Sequence, residues 1–576
     1  MPPKRSITTT GSSNGSGRAS RPSKRYRRAL DIGAPTQADA SARVVQAQLL
    51  AERAGGGASY LATRSEHAGV RSLKELSLQV AGSALYQSIR LNPREQGSSA
   101  PASASSVGWD PDRDPARVAE TQHLREFIKT LPVEVANRLL RLVLDQTTEA
   151  SFDAPSDPGV SVLAVAALFF HPNTTRLSLS GMSAPAILIA RIPQCSALTD
   201  LDLSMHPSLG DKPLAKVLAQ LPTLERINLR SCTKVGDASM VALSKATEDR
   251  LKIANLSLTA VTVKGLTSLL ARCKNLEVLK LASVAALNEK NVSKLVTEAT
   301  DAALGWRHIP LSRLHTLKLR STDVNDAALG RLLSLCSSTL LHLDISYTQL
   351  KTLDFVSSAL HTLSAWRLEK LVASGLPLAP ASLEGFFRPL SERPEAERRR
   401  FRTLKLGNIP ASSTKAPGLV DSVLAKLMPF LEKLEGLESV SLYQNWGIGK
   451  LEQPLSRFIE HLDLTLPVES YHLESLLPPL DDDPDALAAY EPPRLRSLVL
   501  DSSRITDAAA GPISACRDLR ALHVAETRIS TQFLSTVLSA CPHLSTLNLT
   551  SCRGVPVTQR RTFFDAWDRG EVVVTP

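Results

Sequence analysis

The most reactive side chains in this sequence are seven cysteines, and their spacing argues against reactivity. None forms a C-x-x-C pair, so neither a zinc cage nor a dithiol redox centre is spelled out. Cys195, Cys273, Cys516 and Cys541 instead each begin C-x-x-L-x-x-L-x-[LV], and Cys232 and Cys552 each end L-x-x-[IL]-x-L-x-x-C. Cys336 fits the first class with one extra residue. A thiol held at a fixed offset from leucines reads as a small buried filler. Gly447-Ile448-Gly449-Lys450 is too short for a phosphate loop and lacks its Ser or Thr. Asp481-Asp482-Asp483-Pro484-Asp485 reads as a solvated acidic loop. Serine-hydrolase, zinc-protease and EF-hand signatures are missing, and the twelve histidines are scattered. The expectation is a chain that is not an enzyme and needs no metal or cofactor.

The leucines that fix the cysteines repeat along most of the chain. Leu198-x-x-Leu201-x-Leu203, Leu224-x-x-Ile227-x-Leu229, Leu276-x-x-Leu279-x-Leu281 and Leu314-x-x-Leu317-x-Leu319 are clear copies, as are Leu519-x-x-Leu522-x-Val524 and Leu544-x-x-Leu547-x-Leu549. Weaker copies centre on Leu177, Leu256, Leu343, Leu371, Leu404, Val440, Leu462 and Leu498. Together they run from Leu177 to Leu547 at a mean spacing of about 28 residues, the upper end of the leucine-rich-repeat range. Several gaps are longer and predict insertions. The L-x-L segment predicts a short strand with alternate residues turned inward. Stretches such as 212–221, 238–246, 263–272, 327–335 and 531–540 predict helices between the strands. No single unit can bury its leucine face, so stacked units must share a core. The expected fold is an α/β leucine-rich-repeat solenoid, with a curved parallel sheet inside and helices outside.

Two stretches carry a family resemblance. LERINLRSCTKVGDASMVAL (Leu224 to Leu243) and LHTLKLRSTDVNDAALGRLL (Leu314 to Leu333) resemble cysteine-containing leucine-rich repeats. Such repeats are found in ribonuclease-inhibitor-like proteins and in F-box substrate receptors of cullin-type ubiquitin ligases. The resemblance spans about 400 residues and speaks to fold more than function, since one scaffold serves many partners. It implies a protein-interaction scaffold, with two alternatives left open: a ligase substrate receptor, or a general binding protein with no ligase link.

Composition sets the surroundings. Hydrophobic residues are 43% and charged residues 22%, the balance of an ordinary folded protein, while 4% aromatics leave the core to aliphatics. Of the net charge of +10, eight basic groups without an acid lie in residues 1–28, leaving +2 for the rest. Residues 1–37 are expected to be a disordered basic tail, 38–96 a helical segment and 97–117 a linker. Residues 118–172 read as a helical F-box-like or capping region, and 173–576 as the solenoid. Within these, residues 72–91 predict one helix, residues 123–145 a helical region interrupted at Pro132, and residues 160–170 a short apolar helix. The longest apolar run, Val162 to Phe170, falls short of the roughly 20 residues of a membrane span, so no membrane segment is expected. The N-terminus lacks the apolar stretch of a signal peptide. Lys24, Arg25, Arg27 and Arg28 look like a nuclear-localisation signal, and a nuclear or cytoplasmic location is expected. A weak grip of the tail on nucleic acid is the alternative; the folded body is not expected to bind it.

Two segments before the repeats resemble adaptor boxes. Ser72 to Val80 resembles the elongin-binding box, [ST]-L-x-x-x-C, with Ser77 in the Cys position. Leu131-Pro132-Val133-Glu134-Val135, followed by Leu139-Leu140, resembles the opening of an F-box. Leu73, Leu76, Leu131 and Pro132 are the candidate contacts to a cullin-linked adaptor. The alternative is that both helices cap the open end of the solenoid.

The concave face is read from residues flanking the strand leucines. In the central repeats these are Arg226, Asn228, Arg230, Asn255, Ser257, Thr259, Lys280, Thr316, Lys318, Arg320, His342, Asp344, Ser346, Lys370 and Lys405. Seven are basic and one is acidic. Asp200 and Asp202 lie on the first flank, Asp463 and Asp501 on the other, with Tyr443 and Trp446 between. This pattern predicts a groove for an acidic or phosphorylated protein segment, against the plainer reading that Lys and Arg keep an exposed sheet soluble.

Overall fold

The computed structural model describes residues 61–63, 73–89, 115–153, 162–182, 184, 186–305, 310–336, 338–361, 366–411, 418–448, 459–477, 492–556, 558–560 and 564. The chain divides into Met1–Gly57 and Ala58–Pro576, and all of these residues belong to the second unit. The tail with Lys24, Arg25, Arg27 and Arg28 lies outside the described residues, as does the Asp481 to Asp485 run.

One sheet organises the fold. Its repeat strands are β2 (Arg176–Ser178), β3 (Asp200–Asp202), β4 (Arg226–Asn228), β5 (Ile253–Asn255), β6 (Val278–Lys280), β7 (Thr316–Lys318) and β8 (His342–Asp344). They continue as β9 (Lys370–Val372), β10 (Thr403–Lys405), β11 (Ser439–Ser441), β12 (His461–Asp463), β13 (Ser497–Val499), β14 (Ala521–His523) and β15 (Thr546–Asn548). Each pairs in parallel with the strand of the next repeat, so sheet order follows chain order from β2 to β15. Three-residue strands are too short to persist alone; each is held by the strands beside it. The fold is an α/β leucine-rich-repeat solenoid.

Register follows the leucines. Middle residues pair with middle residues, as in Leu279 with Leu317 and Leu371 with Leu404. Leu279 is 1% exposed and Leu319 is fully buried. One expected register shifts. β5 centres on Ala254 and not on Leu256, because Ala254 pairs with Ile227 on one side and Leu279 on the other. Leu256 takes the second inward position, and the bulk of the neighbours covers the small alanine. Thr259 then turns into the core, its hydroxyl donating to the Leu256 carbonyl at 2.6 Å, and leaves the concave set. Cys232 fills the same position one repeat earlier, its Sγ 3.0 Å from the Leu203 carbonyl oxygen. All seven cysteines are buried and free, and burial pushes the Cys273, Cys336 and Cys516 thiols up to about 12.

Every repeat strand except β12 leaves the sheet through a left-handed residue. Met205, Ser231, Leu258, Ser283, Ser321, Tyr347, Asn408, Gln444, Ser502, Glu526 and Ser551 all have φ between 50° and 64°, and Gly181 and Gly375 have φ of 66° and 70°. The backbone still donates forward there: Ser231 N–H reaches the Ser257 carbonyl at 2.9 Å and Tyr347 N–H the Ser374 carbonyl at 2.8 Å. These inter-repeat hydrogen bonds hold a conformation that is costly for residues with a side chain.

Helices Asp211–Leu218, Asp237–Thr247, Val263–Arg272, Asp326–Cys336 and Thr531–Ala540 fall where helices were expected. A carboxylate stitches some of them together. Asp211 Oδ1 accepts the Ser239 N–H at 2.8 Å and Oδ2 the Ala238 N–H at 3.0 Å, so one repeat caps the helix of the next. Asp237 Oδ1 does the same for Thr262 N–H at 2.8 Å and Gly265 N–H at 3.0 Å. The long gaps hold extra helix: the 17-residue Glu289–Gly305 between β6 and β7, and Pro380–Ser391 with Glu395–Arg398 between β9 and β10. Beside the latter pair, Trp366, Phe386 and Phe401 form a buried aromatic cluster in a mainly aliphatic core.

Both sheet edges are covered. Helices α1 (Leu73–Ile89), α2 (Pro115–Thr130), α3 (Val133–Asp153) and α4 (Val162–Phe169) precede β2, with α1 against α3 and α2 against α4. Pro132 separates α2 from α3 as the sequence suggests. The Asn137 carboxamide sits on the free edge of β2, donating to the Arg176 carbonyl at 3.4 Å and accepting the Ser178 N–H at 3.1 Å. It replaces the missing neighbour strand. At the other edge, β1 (Leu61–Thr63) pairs antiparallel with β15.

Candidate functional site

The middle strands gather a group of cations. Lys280 ends β6, Lys318 ends β7, Lys370 begins β9 and Lys405 ends β10. Arg230 and Arg320 lie two residues beyond the ends of β4 and β7. Lys280, Lys318 and Lys370 line one hollow of about 470 Å³, together with Thr316, His342, Glu369, Arg402 and Glu438. Among the described residues, none of Arg230, Lys280, Lys318, Arg320, Lys370 and Lys405 reaches a carboxylate within 4.0 Å.

Their charges are felt instead by one another. Burial holds the Lys280 ammonium below its usual value, and the charges of Lys318 and Arg230 depress it further. Burial does the same to Lys370, with Lys405 and Lys318 adding and Asp344 opposing. Half-buried like charges without counter-ions raise the energy of the free surface, and an incoming anion relieves them.

The remaining charges on this face are engaged. Arg226 reaches back to Asp200 at 3.9 Å and belongs to the acidic flank rather than the centre. Asp202 accepts the Ser204 N–H and hydroxyl at 2.9 and 2.7 Å. Asp463 accepts the Ser441 hydroxyl at 2.7 Å, and Asp501 the Ala525 N–H at 2.7 Å. An outer row pairs across repeats: Lys252 with Glu225 at 2.9 Å, Arg402 with Glu438 at 3.7 Å and Arg496 with Glu460 at 2.9 Å.

An aromatic bridge adjoins the cations. The Tyr347 and Tyr443 hydroxyls are 2.7 Å apart, and the Arg320 guanidinium sits 5.1 Å from the centre of the Tyr347 ring. Tyr347 crosses Gly375 of the next repeat and Tyr443 crosses Gly407 of the preceding one; a Cβ on either glycine would overlap the ring above it. Burial raises the Tyr443 phenol, and its hydrogen bond to Tyr347 raises it further. Tyr443 was anticipated from the sequence, whereas Tyr347, Gly375 and Gly407 were missed. The available signal was a tyrosine in the same column of an adjacent repeat: Tyr347 beside Gly375 and Tyr443 beside Gly407. Trp446, also anticipated, lies three residues further on in the turn after β11 and is 58% exposed.

The two adaptor boxes fall in the helical cap. Leu73 begins α1 and Leu76 lies in its first turn. Leu131 is half-buried and Pro132 exposed at the joint between α2 and α3, while Leu139 and Leu140 are buried. Among the described residues, no helix is long and apolar enough to cross a membrane, and no cluster of His, Cys, Asp and Glu is suited to a metal ion.

No known protein family matches the sequence, and no curated protein matches it. Solved structures similar to the chain include the complex of Rad7 and Elc1 in yeast, at 17% identity over 85% of this chain and 96% of that chain, with a TM-score of 0.45. An internalin from Listeria monocytogenes matches at 14% identity over 75% of this chain and 95% of that chain, TM-score 0.34. The plant peptide hormone receptor RGFR1 in complex with RGF2 matches at 14% identity over 69% and 72% of the respective chains, TM-score 0.28. The strand order and register above rest on the chain's own geometry.

Proposed function

We propose that this solenoid is a protein-interaction scaffold, without enzymatic activity, whose concave face binds an acidic or phosphorylated segment of a partner. The observation that carries the reading is the group of six cations without a carboxylate partner among the described residues, with three of its lysines on one hollow. Each exposed pair contributes only about 0–1 kcal/mol, so affinity must come from several acting together, with Tyr443 and Trp446 as anchors. The test is a triple reversal, Arg230→Glu, Lys318→Glu and Arg320→Glu, compared with the parent by affinity purification and mass spectrometry. The folded variant should lose its protein partners. Full recovery of the same partners sinks the reading.

A second reading makes the scaffold a cullin-type substrate receptor. It is supported by α1 starting at Leu73 of the first box, with Val80 of that box 70% exposed. Mutating Leu73 with Leu76, and separately Leu131 with Pro132, should identify the box that recovers a cullin with its linker protein. If neither pair changes that recovery while the fold survives, or no cullin is recovered at all, the adaptor role fails. Residues 1–28, fused to a cytosolic reporter, should carry it to the nucleus.

A further inference from the structure

His315 and His342 come from successive repeats and share one hydroxyl. The Nδ1 of each ring lies 3.0 Å from Thr316 Oγ1, and the rings meet edge to face with centroids 6.4 Å apart. Beyond the far nitrogens stand two carboxylates: Glu277 lies 3.8 Å from His315 Nε2, and Glu369 lies 3.7 Å from His342 Nε2. Thr316, between the rings, is 6% exposed.

Proton counting constrains this cluster. A threonine hydroxyl has one hydrogen and can donate to only one of two acceptors. At least one imidazole must therefore carry hydrogen on Nδ1 and donate to Thr316. The Nε2 of that ring faces a carboxylate, which favours a second proton there and a positive ring. Other neighbours oppose it. Burial lowers the affinity of His342 for a proton; Glu369 raises it, while His315 and Lys370 lower it. Lys280 and Lys318 line the same hollow, and Arg402, its next cation, is paired with Glu438. The cluster thus stands between two carboxylates that invite a proton and a set of lysines that repel one.

We propose that the His315–Thr316–His342 cluster is a proton-binding part of the concave anion site, so that an acidic segment and a proton bind together. This rests on the reading that the hollow binds anions. An anion seated on Lys280, Lys318 and Lys370 cancels the field that opposes protonation, and the protonated ring in turn attracts the anion. Coupling between two ligands is reciprocal, so the partner binds more tightly as pH falls through the histidine range. Uptake of one proton corresponds to about tenfold in affinity per pH unit.

The test uses the full chain with Lys24, Arg25, Arg27 and Arg28 changed to Gln, so that the tail does not compete. The probe is a fluorescein-labelled deca-aspartate peptide, whose carboxylates (ordinarily near pKa 3.9) stay ionised from pH 8 to pH 6. Fluorescence anisotropy should show affinity rising up to about tenfold per pH unit over that range. His315→Gln with His342→Gln should show no rise in affinity from pH 8 to pH 6, whatever its affinity at pH 8. A second readout needs no substitution in the cluster: imidazole titration by NMR should move to higher pH when the peptide is bound. A double variant that keeps the parent's pH slope, or imidazoles that titrate alike with and without peptide, overturns the proposal. Lys280→Glu, Lys318→Glu and Lys370→Glu at pH 8 separates it from the reading beneath it. If that reversal leaves peptide affinity unchanged, the hollow is not the anion site, and both fall. If it abolishes binding while the pH slope of the parent is flat, only the proton linkage is overturned.

Discussion

The Tyr347 and Tyr443 hydroxyls meet at 2.7 Å although 96 residues separate them in the chain. They approach from opposite directions, one leaning forward over Gly375 and the other back over Gly407. The contact links repeats that are not neighbours, which nearest-neighbour stacking alone does not do. Gly407→Ala forces the Tyr443 ring to move and should destabilise the chain by about 1–3 kcal/mol, the ordinary cost of overpacking. Combining it with Tyr443→Ser should cost less than the two single changes summed. Urea unfolding of the four proteins measures the coupling, and strict additivity would show that glycine and ring are independent.

The shared core can be probed at Leu279, which is 1% exposed in the middle of β6. Leu279→Ala should cost about 2–5 kcal/mol, and Leu279→Asp should cost more because it buries an unpaired charge. Hydrogen exchange should place the damage first in β5 to β7. Uniform loss of protection from β2 to β15 would mean that the array unfolds only as a whole.

Acid should loosen the carboxylate stitching. Hydrogen bonds from Ser239 and Ala238, outweighing burial, hold the Asp211 carboxyl below its ordinary range. A depressed carboxyl contributes stability that is present above its unfolded-state value, about 3.9, and is lost as pH falls through the lower folded value. Asp211→Ala should therefore cost about 0.5–2 kcal/mol at pH 7. The gap between variant and parent should narrow as pH falls through the depressed folded value and close below it. Thermal melts at several pH values report this directly; a gap independent of pH would show that the carboxylate charge does not matter.

The thiols should be silent in the folded chain. All seven are buried, and burial lifts the Cys195, Cys232 and Cys541 thiols to about 11. Since the thiolate is the nucleophile, a thiol reagent at pH 8 should label native protein slowly and all seven groups at once in denaturant. Rapid labelling of one native cysteine would identify a local opening around its repeat.

The repeat strands were legible because their leucines obey a simple period: Leu201, Leu317 and Leu547 each sit at the middle of a strand as read. β5 was misplaced because Ala254 substitutes for a leucine, and the nearest leucine, Leu256, drew the register two residues along. The lysines of the hollow followed from alternation once the strands were in place. The tyrosine bridge did not, because it depends on how far each ring leans across neighbouring repeats, which spacing along the chain does not encode. The histidine cluster was hidden for a related reason. His315 and His342 look scattered in sequence, and only the step from β7 to β8 brings both rings to Thr316.

The treatment of the sheet's two ends has a consequence for the life of the molecule in a crowded solution. An open parallel sheet offers unpaired backbone groups at each margin, and identical chains joining there could grow into a filament. Asn137 spends a single side chain to stop growth at β2, while a short strand of reversed direction stops it at β15. Neither stop leaves a parallel template for another copy. The Asn137 carboxamide thus occupies backbone groups of β2 that a strand from another copy would need in order to join there.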